Sequence, residues 1–191
     1  EYIFDMLLAV YDQNRSIEYH GIPLEDFLSD DIHLDDVFVV LAINYLDGME
    51  AIHRHGYIRD LVIRRRDSLD GRGEIDVEET LLNHARGTLE PQWIRNETEY
   101  DNAANSLLHY AGKTLLRLFR QNTDEDDHPA YDRIFSEVHR EVERLAEMGV
   151  TSGLDRMDEY QRVSLADLPK QRRYYRKSFD VSKAVMSSSL G

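Results

Sequence analysis

Residues 37–46 read Val37-Phe38-Val39-Val40-Leu41-Ala42-Ile43-Asn44-Tyr45-Leu46, and how this run folds decides the class of the whole chain. Its β-branched residues would suit a strand over 37–43. Length argues for a helix, because the segment continues towards Gly56, well past the roughly five or six residues of an ordinary strand. Asp35 stands where an N-cap is needed. A helix apolar nearly all round at its start belongs at the centre of a core.

Upstream, Tyr2 to Tyr11 carries apolar residues at 3, 6, 7 and 10 and predicts a further helix, broken by Gly21-Ile22-Pro23. Downstream the texture changes at Tyr57. Ile58, Leu61, Val62 and Ile63 precede Arg64-Arg65-Arg66, followed by the turn residues Asp67-Ser68-Leu69-Asp70-Gly71. Gly73 to Val77 alternates as a half-buried strand does, and Leu89 to Asn96, with Trp93 and Ile94 in its middle, predicts the returning strand. Asp101 is the expected N-cap of a long helix whose stripe is Leu107, Leu108, Ala111, Leu115, Leu118 and Phe119.

Gln121 to Pro129 reads as an acidic loop. Tyr131 to Met148 predicts another amphipathic helix, with Ile134, Phe135, Val138, Val142 and Leu145 on one face and Gly149 as its C-cap. Gly153 to Asp167 is mixed, with Val163-Ser164-Leu165 a candidate extended stretch. A last helix is expected from Leu168-Pro169, with apolar contacts from Tyr174, Tyr175, Phe179, Val181, Ala184, Val185 and Met186. The predicted class is α+β and mainly α-helical, with helices around a small antiparallel β-hairpin element. The expected parts are an N-terminal helical part at 1–56, a small β element at 57–100 and a helical part at 101–191, together one compact domain. The opening at Glu1 without Met, and the close in Ser187-Ser188-Ser189-Leu190-Gly191, suggest a segment of a longer protein.

The 191 residues hold 37 acids and 23 bases, a formal charge of −14. A protein basic all over, coating nucleic acid without selectivity, is thereby excluded. No apolar run reaches the ~18 residues of a membrane span, and no signal peptide opens the chain, so a cytoplasmic protein is expected. The absence of Cys removes disulfides, thiolate metal sites and cysteine nucleophiles. An Asp-rich surface with only 4 Lys beside 19 Arg fits a halophilic source and equally an acidic protein of a GC-rich genome. Charge is uneven: residues 1–60 carry net −10, 61–123 net −1, 124–169 net −8 and 170–191 net +5. An anionic partner meets least repulsion at the middle and the tail.

The middle of the chain also resembles a known family. A helix ending in Gly56-Tyr57, a linker, the block Gly71-Arg72-Gly73-Glu74-Ile75-Asp76-Val77-Glu78-Glu79-Thr80, a return segment and a helix opening with Asp101, Asn105 and Leu108 are together similar to the McrC family. The likeness is clear over roughly residues 40–120, with one departure, Glu74, where the family has a base. The resemblance implies the nuclease subunit of a 5-methylcytosine-type restriction system, a defense function. In that family an AAA+ GTPase partner, McrB-like, recognises methylated DNA, while the McrC subunit binds it, stimulates GTP hydrolysis and carries a PD-(D/E)XK nuclease near its C-terminus. This segment would precede the nuclease, so no cofactor is expected in it; Mg²⁺ belongs to the downstream nuclease and GTP to the partner. That nuclease needs an acid two positions before a Lys. Before Lys113, Lys170, Lys177 and Lys183 stand Ala111, Leu168, Tyr175 and Val181, none of them acidic.

Other chemistry is thinly represented. There is no P-loop; Gly112-Lys113-Thr114 ends like one but lies inside a predicted helix. No Gly-x-Ser-x-Gly elbow marks a hydrolase. His53 and His55, the pair His139 and Glu143, and acid pairs such as Asp126-Asp127 read as solvated surface groups, so no catalytic and no metal-binding residue is assigned. Two basic clusters remain as nucleic-acid or partner-binding candidates. Arg64, Arg65, Arg66 and Arg72 flank the predicted hairpin, where their forks could hold phosphate or an acidic surface, or simply neutralise nearby acids. Lys170, Arg172, Arg173, Arg176 and Lys177, interleaved with Tyr174 and Tyr175, either form a nucleic-acid strip or edge a helix whose tyrosines face the core. The expected function is a non-catalytic scaffold that docks an AAA+ GTPase and positions a downstream nuclease. The alternative is a stand-alone helical DNA-binding or regulatory protein using the basic tail.

Overall fold

A helix of 22 residues, Leu34–His55 (α1), runs through the middle of the molecule. Val39, Ala42, Tyr45 and Ile52 on it are wholly buried, and Phe38, Val40, Leu41 and Ile43 are nearly so. Residues 38–43 of α1 are therefore surrounded on every side, as their composition requires. The computed structural model describes residues 18–19, 22–23, 34–122, 129–168 and 170–189. The helix expected over Tyr2 to Tyr11 and most of the acidic loop after Gln121 lie outside these residues.

Two short strands, Glu18–Tyr19 (β1) and Ile22–Pro23 (β2), pair antiparallel ahead of α1. After α1 come Asp60–Asp67 (β3), Glu74–Ile75 (β4), the helix Val77–Ala85 (α2) and Gln92–Glu99 (β5). The chain then returns to helices, Ala103–Asn122 (α3), Pro129–Glu147 (α4) and the short Met157–Arg162 (α5). A 3₁₀ stretch at Lys170–Tyr175 leads into the last helix, Arg176–Ser189 (α6). The class is α+β and mainly helical, with six α-helices among the described residues. No helix among them is long and apolar enough to cross a membrane.

Helices α1, α3, α4 and α6 pack on one another and hold the core. The stripe expected on α4 is inward, with Ile134, Val138 and Leu145 fully buried. Gly149 caps its end at φ 81°. Phe119 of α3 stacks on Phe135 of α4 with ring centroids 3.7 Å apart. Where α1 crosses α3, the Tyr45 hydroxyl donates to the Leu108 carbonyl at 3.1 Å. Gly112 lies against Tyr45, where a Cβ would fall 2.8 Å from the hydroxyl oxygen. Gly112 in the P-loop look-alike is thus a helix-packing residue.

Four local expectations change. The β element is a three-stranded antiparallel sheet of order β3-β5-β4, not a hairpin. The strand expected over Gly73 to Val77 ends at Ile75, because Asp76 caps α2 by accepting the Glu79 N–H at 3.2 Å. The N-cap of α3 is Asn102, whose side-chain oxygen accepts the Asn105 N–H at 3.0 Å. Asp101 is taken up instead by Thr151 and Arg156, the latter at 2.7 Å. Leu165, in the stretch expected to be extended, begins a 3₁₀ turn.

His109 on α3 is 6% exposed, and its Nδ1 has no partner. Burial, with Lys113 adding to it and Asp101 opposing, pulls its pKa down to about 4. The unfolded chain therefore binds a proton that the folded chain refuses. The share of stability tied to His109 is expected to be present in full above pH 6.5 and to fall as pH drops towards about 4, by about 3 kcal/mol at most. The variant His109→Leu is expected to flatten that decline in urea titrations at pH 7.5 and pH 4.5; an unchanged slope would place its cause elsewhere.

Candidate functional site: a two-faced sheet outside the helical core

Between residues 53 and 103 no apolar side chain is fully buried in the core; Tyr57, Ile58 and Tyr100, at the two ends of the excursion, pack against its edge. The sheet and α2 therefore project from a body that does not need them for its own packing. What fixes them is a polar clamp at their root. Asn105, fully buried on α3, donates to the Ile58 carbonyl at 2.9 Å and to the Tyr100 carbonyl at 2.8 Å. Its own oxygen accepts from the Tyr175 hydroxyl at 2.8 Å, and that hydroxyl accepts the Ile58 N–H at 2.8 Å. Tyr174 donates to the Gly56 carbonyl at 2.6 Å. The end at Gly56 and Ile58 is thus tied to α3 and to the stretch before α6, and the end at Tyr100 to α3. Burial pushes the Tyr175 hydroxyl pKa well up, so it stays protonated and able to donate.

Register sorts the side chains of the sheet into two faces, since directly opposed residues share a side. Arg64 lies opposite Arg95, Arg66 opposite Trp93 and Val62 opposite Glu97 on one face. Leu61 opposite Thr98, Ile63 opposite Asn96 and Arg65 opposite Ile94 occupy the other. The arginine run is therefore inside a strand, not flanking a hairpin, and it is split: Arg64 and Arg66 face one way, Arg65 the other. Arg65 lies 3.9 Å from Asp76, and Arg64 lies 3.2 Å from Glu99. As exposed pairs these contribute about 0–1 kcal/mol each. Arg66 and Arg72 make no ion pair among the described residues.

The loop that carries Arg72 is built on Trp93. The indole N–H donates to the Ser68 carbonyl at 2.7 Å, and Gly71 lies so close that a Cβ would meet the ring at 2.0 Å. Gly73 adopts φ 137°, with the Ile94 carbonyl oxygen 2.3 Å from where a Cβ would be. Only glycine is tolerated there. The arrangement brings Arg64, Arg66, Arg72 and Arg95 around one open cleft of about 410 Å³, with Arg65, Asp70 and Glu97 also lining it. Arg95 escapes a reading of the sequence alone, because it lies 31 positions from Arg64 and only strand register joins them.

The other face carries exposed apolar side chains, Leu61 and Ile63, beside Arg65, Asn96 and Thr98. Leu61 is 70% exposed and Ile63 65%, while Val77 and Leu81 on α2 are similarly open. Of the nine large apolar side chains that are exposed among the described residues, eight fall between 61 and 89. They do not share one face, since Ile75 lies opposite Trp93 and so belongs to the arginine side.

The tail cluster is arranged differently. Tyr175 is buried, Lys177 is paired with Asp47, Arg176 lies 3.8 Å from Asp180, and Arg172 donates to the Tyr174 hydroxyl. Lys170 and Arg173 reach solvent. His53 joins Glu141 at 2.8 Å, with Arg144 and Tyr57 beside it, and His55 lies against Tyr174. His139 and Glu143 pair at 3.3 Å on the surface of α4. Among the described residues no group of three or more His, Asp or Glu is placed to hold a metal ion.

A helical body thus carries a small two-faced sheet outside its core. The same fold occurs in two solved assemblies from Thermococcus gammatolerans. One is a chain of the McrBC complex determined by cryo-EM, with TM-score 0.58 and 15% identity, covering 93% of this chain and 49% of that one. The other is a chain of the half-complex from a tetradecameric assembly of McrB AAA+ hexamers with bound McrC, again with TM-score 0.58 and 15% identity. There the overlap is 88% of this chain and 36% of that one. At this identity the likeness is one of fold, and the chain spans half or less of the structures it matches. No protein-family model matches the sequence. No curated protein matches it either.

Proposed function

We propose that this chain is a scaffold and interaction segment of an McrC-like subunit in a methylation-dependent DNA restriction system. In this reading the apolar face of the sheet docks an AAA+ GTPase ring, and the helical body carries a nuclease that follows in the complete protein. The observation that supports it best is the concentration of exposed Leu and Ile side chains on an element that stands outside the buried core. A small sheet gains stability from a hydrophobic face or from a helix packed on it, and here α2 packs on β5. Leu61 and Ile63 lack that cover among the described residues, so a partner surface is the natural source. The fold likeness to assemblies described as McrB AAA+ hexamers with bound McrC supports the partner's class. The segment itself is assigned no catalytic residue.

The alternative, a stand-alone DNA-binding or regulatory protein using the basic tail, draws less support. Three of its five bases are engaged within the chain, and both tyrosines are turned inward. The docking surface is tested by Leu61→Asp/Ile63→Asp. Both side chains are exposed, so the thermal midpoint is expected to change little. Affinity for the McrB-like GTPase of the same organism, read by biolayer interferometry, should fall at least about 100-fold, as central apolar contacts of an interface allow. Equal affinity of the variant and the parent chain, or no binding by the parent, would end this reading.

A further inference from the structure

We propose that the cleft between Arg64, Arg66, Arg72 and Arg95 is a phosphate site that takes the backbone of a nucleic-acid strand. The inference is independent of the docking surface, which lies on the opposite face of the sheet. Its first ground is a local cost. Arg64 and Arg95 are directly opposed across β3 and β5, an arrangement of like charges that destabilises a sheet. Glu99 relieves it by a hydrogen-bonded ion pair to Arg64 at 3.2 Å, and Glu97 only by a longer, exposed contact to Arg95 at 3.6 Å. Arg66 and Arg72 have no such relief among the described residues. An anion seated between the four would remove the repulsion.

The shape of the cleft selects the kind of anion. Arg64 and Arg66 are two residues apart on one strand, so their Cα atoms stand about 6.7 Å apart. That repeat is commensurate with successive phosphates along an extended strand, whereas a single carboxylate would occupy one fork and leave the others unsatisfied. Guanidinium forks hold phosphate oxygens in pairs. Base reading is not provided for. Trp93 is the aromatic ring at the site, and its N–H is used by Ser68 while Gly71 lies on the ring. The site therefore grips the backbone without regard to sequence. Glu74, where the resembled family carries a base, does not weaken this, because it pairs with Ile94 and so belongs to the opposite face.

The overall charge of −14 does not forbid such a site. At 0.1 M salt the Debye length is about 10 Å, so distant acids are largely screened while the four arginines act at contact. A merely protective role for the arginine row, keeping the exposed edge strand β3 from pairing with other chains, would need neither Arg72 nor Arg95.

The experiment uses the full chain and a short fluorescein-labelled single-stranded DNA, followed by anisotropy between 50 and 200 mM salt. The variant Arg66→Gln/Arg72→Gln is chosen because neither side chain supports the fold, which circular dichroism would verify. Affinity is expected to drop at least tenfold. The slope of log affinity against log salt should shrink by about 1.4, or about 0.7 for each phosphate that is no longer neutralised. Lys170→Gln/Arg173→Gln should leave both readings unchanged. Parallel titrations with ATP and with poly-glutamate identify the source of the anion. Binding of ATP without binding of the oligonucleotide would overturn the strand assignment. Loss of poly-glutamate binding in the same variant at equal affinity would overturn phosphate chemistry, and no effect of the variant on DNA would overturn the site.

Discussion

Replacing Asn105 by Ala is expected to destabilise the chain by about 3 kcal/mol. The bonds removed are those to the Ile58 and Tyr100 carbonyls and from the Tyr175 hydroxyl. Each is worth about 1 kcal/mol net. The two carbonyls are not left bare, because Asn102 also donates to both, through its side chain to Ile58 and its N–H to Tyr100. The full desolvation penalty therefore falls on the Tyr175 proton alone, while the vacated amide leaves a small cavity in a fully buried place. Asn105→Asp would be at least as damaging: it keeps the acceptor for Tyr175 but sets a carboxylate against two carbonyl oxygens. Tyr175→Phe should cost less, since it removes two bonds and leaves the ring in place. Urea unfolding at pH 7.5 measures all three. A loss below about 1 kcal/mol for Asn105→Ala would mean that the packing of α3, and not the clamp, fastens the root of the sheet.

The clamp separates what is legible in the sequence from what is not. The stripes of α3 and α4 and the enclosed residues 38–43 of α1 are local patterns, so helix period alone exposes them. Asn105 is visible as part of a family-like spacing, yet its task is not, because its partners lie 47 and 70 positions away. Asp101 and Asn102 are both good cappers in adjacent places. The choice between them is made by Arg156 and Thr151, which draw Asp101 away and hold its carboxyl below the usual carboxylate range: burial alone would raise it, and the hydrogen bonds from Thr151 and Arg156 outweigh that. The strand expected through Val77 overlooks an available signal. Asp76 followed three residues later by Glu79 is a helix-start pattern, and it outweighs the alternation of Gly73 to Val77. Strand β3 carries little period-2 signal because both its faces meet solvent. For the same reason its arginines read as a single block of three, although the pleat sends Arg65 to the other side.

Gly73→Val carries the second large effect, and it separates the sheet from the helical body. A β-branched residue at φ 137° is a severe outlier, and its Cβ would also stand 2.3 Å from the Ile94 carbonyl oxygen. Strain of this kind costs about 1–3 kcal/mol before the clash is counted. Strand β4 is two residues long and pairs only with β5, so it cannot absorb such a load and should detach. The turn bearing Arg72 would then lose its footing on Trp93, and DNA affinity should fall at least as far as for Arg66→Gln/Arg72→Gln. The helices should remain folded, because no apolar side chain between 53 and 103 is fully buried in their core. Hydrogen exchange reads the division directly: amides of 74–76 and 92–95 are expected to lose protection, while those of α1 and α3 keep theirs. Uniform loss across all of these would show that sheet and helices unfold as one cooperative unit, and the picture of a presented, separately supported sheet would fail with it. Should protection survive at 74–76 while DNA binding disappears, the valine would be acting on Arg72 alone, and the turn rather than the strand would be the part that Gly73 protects.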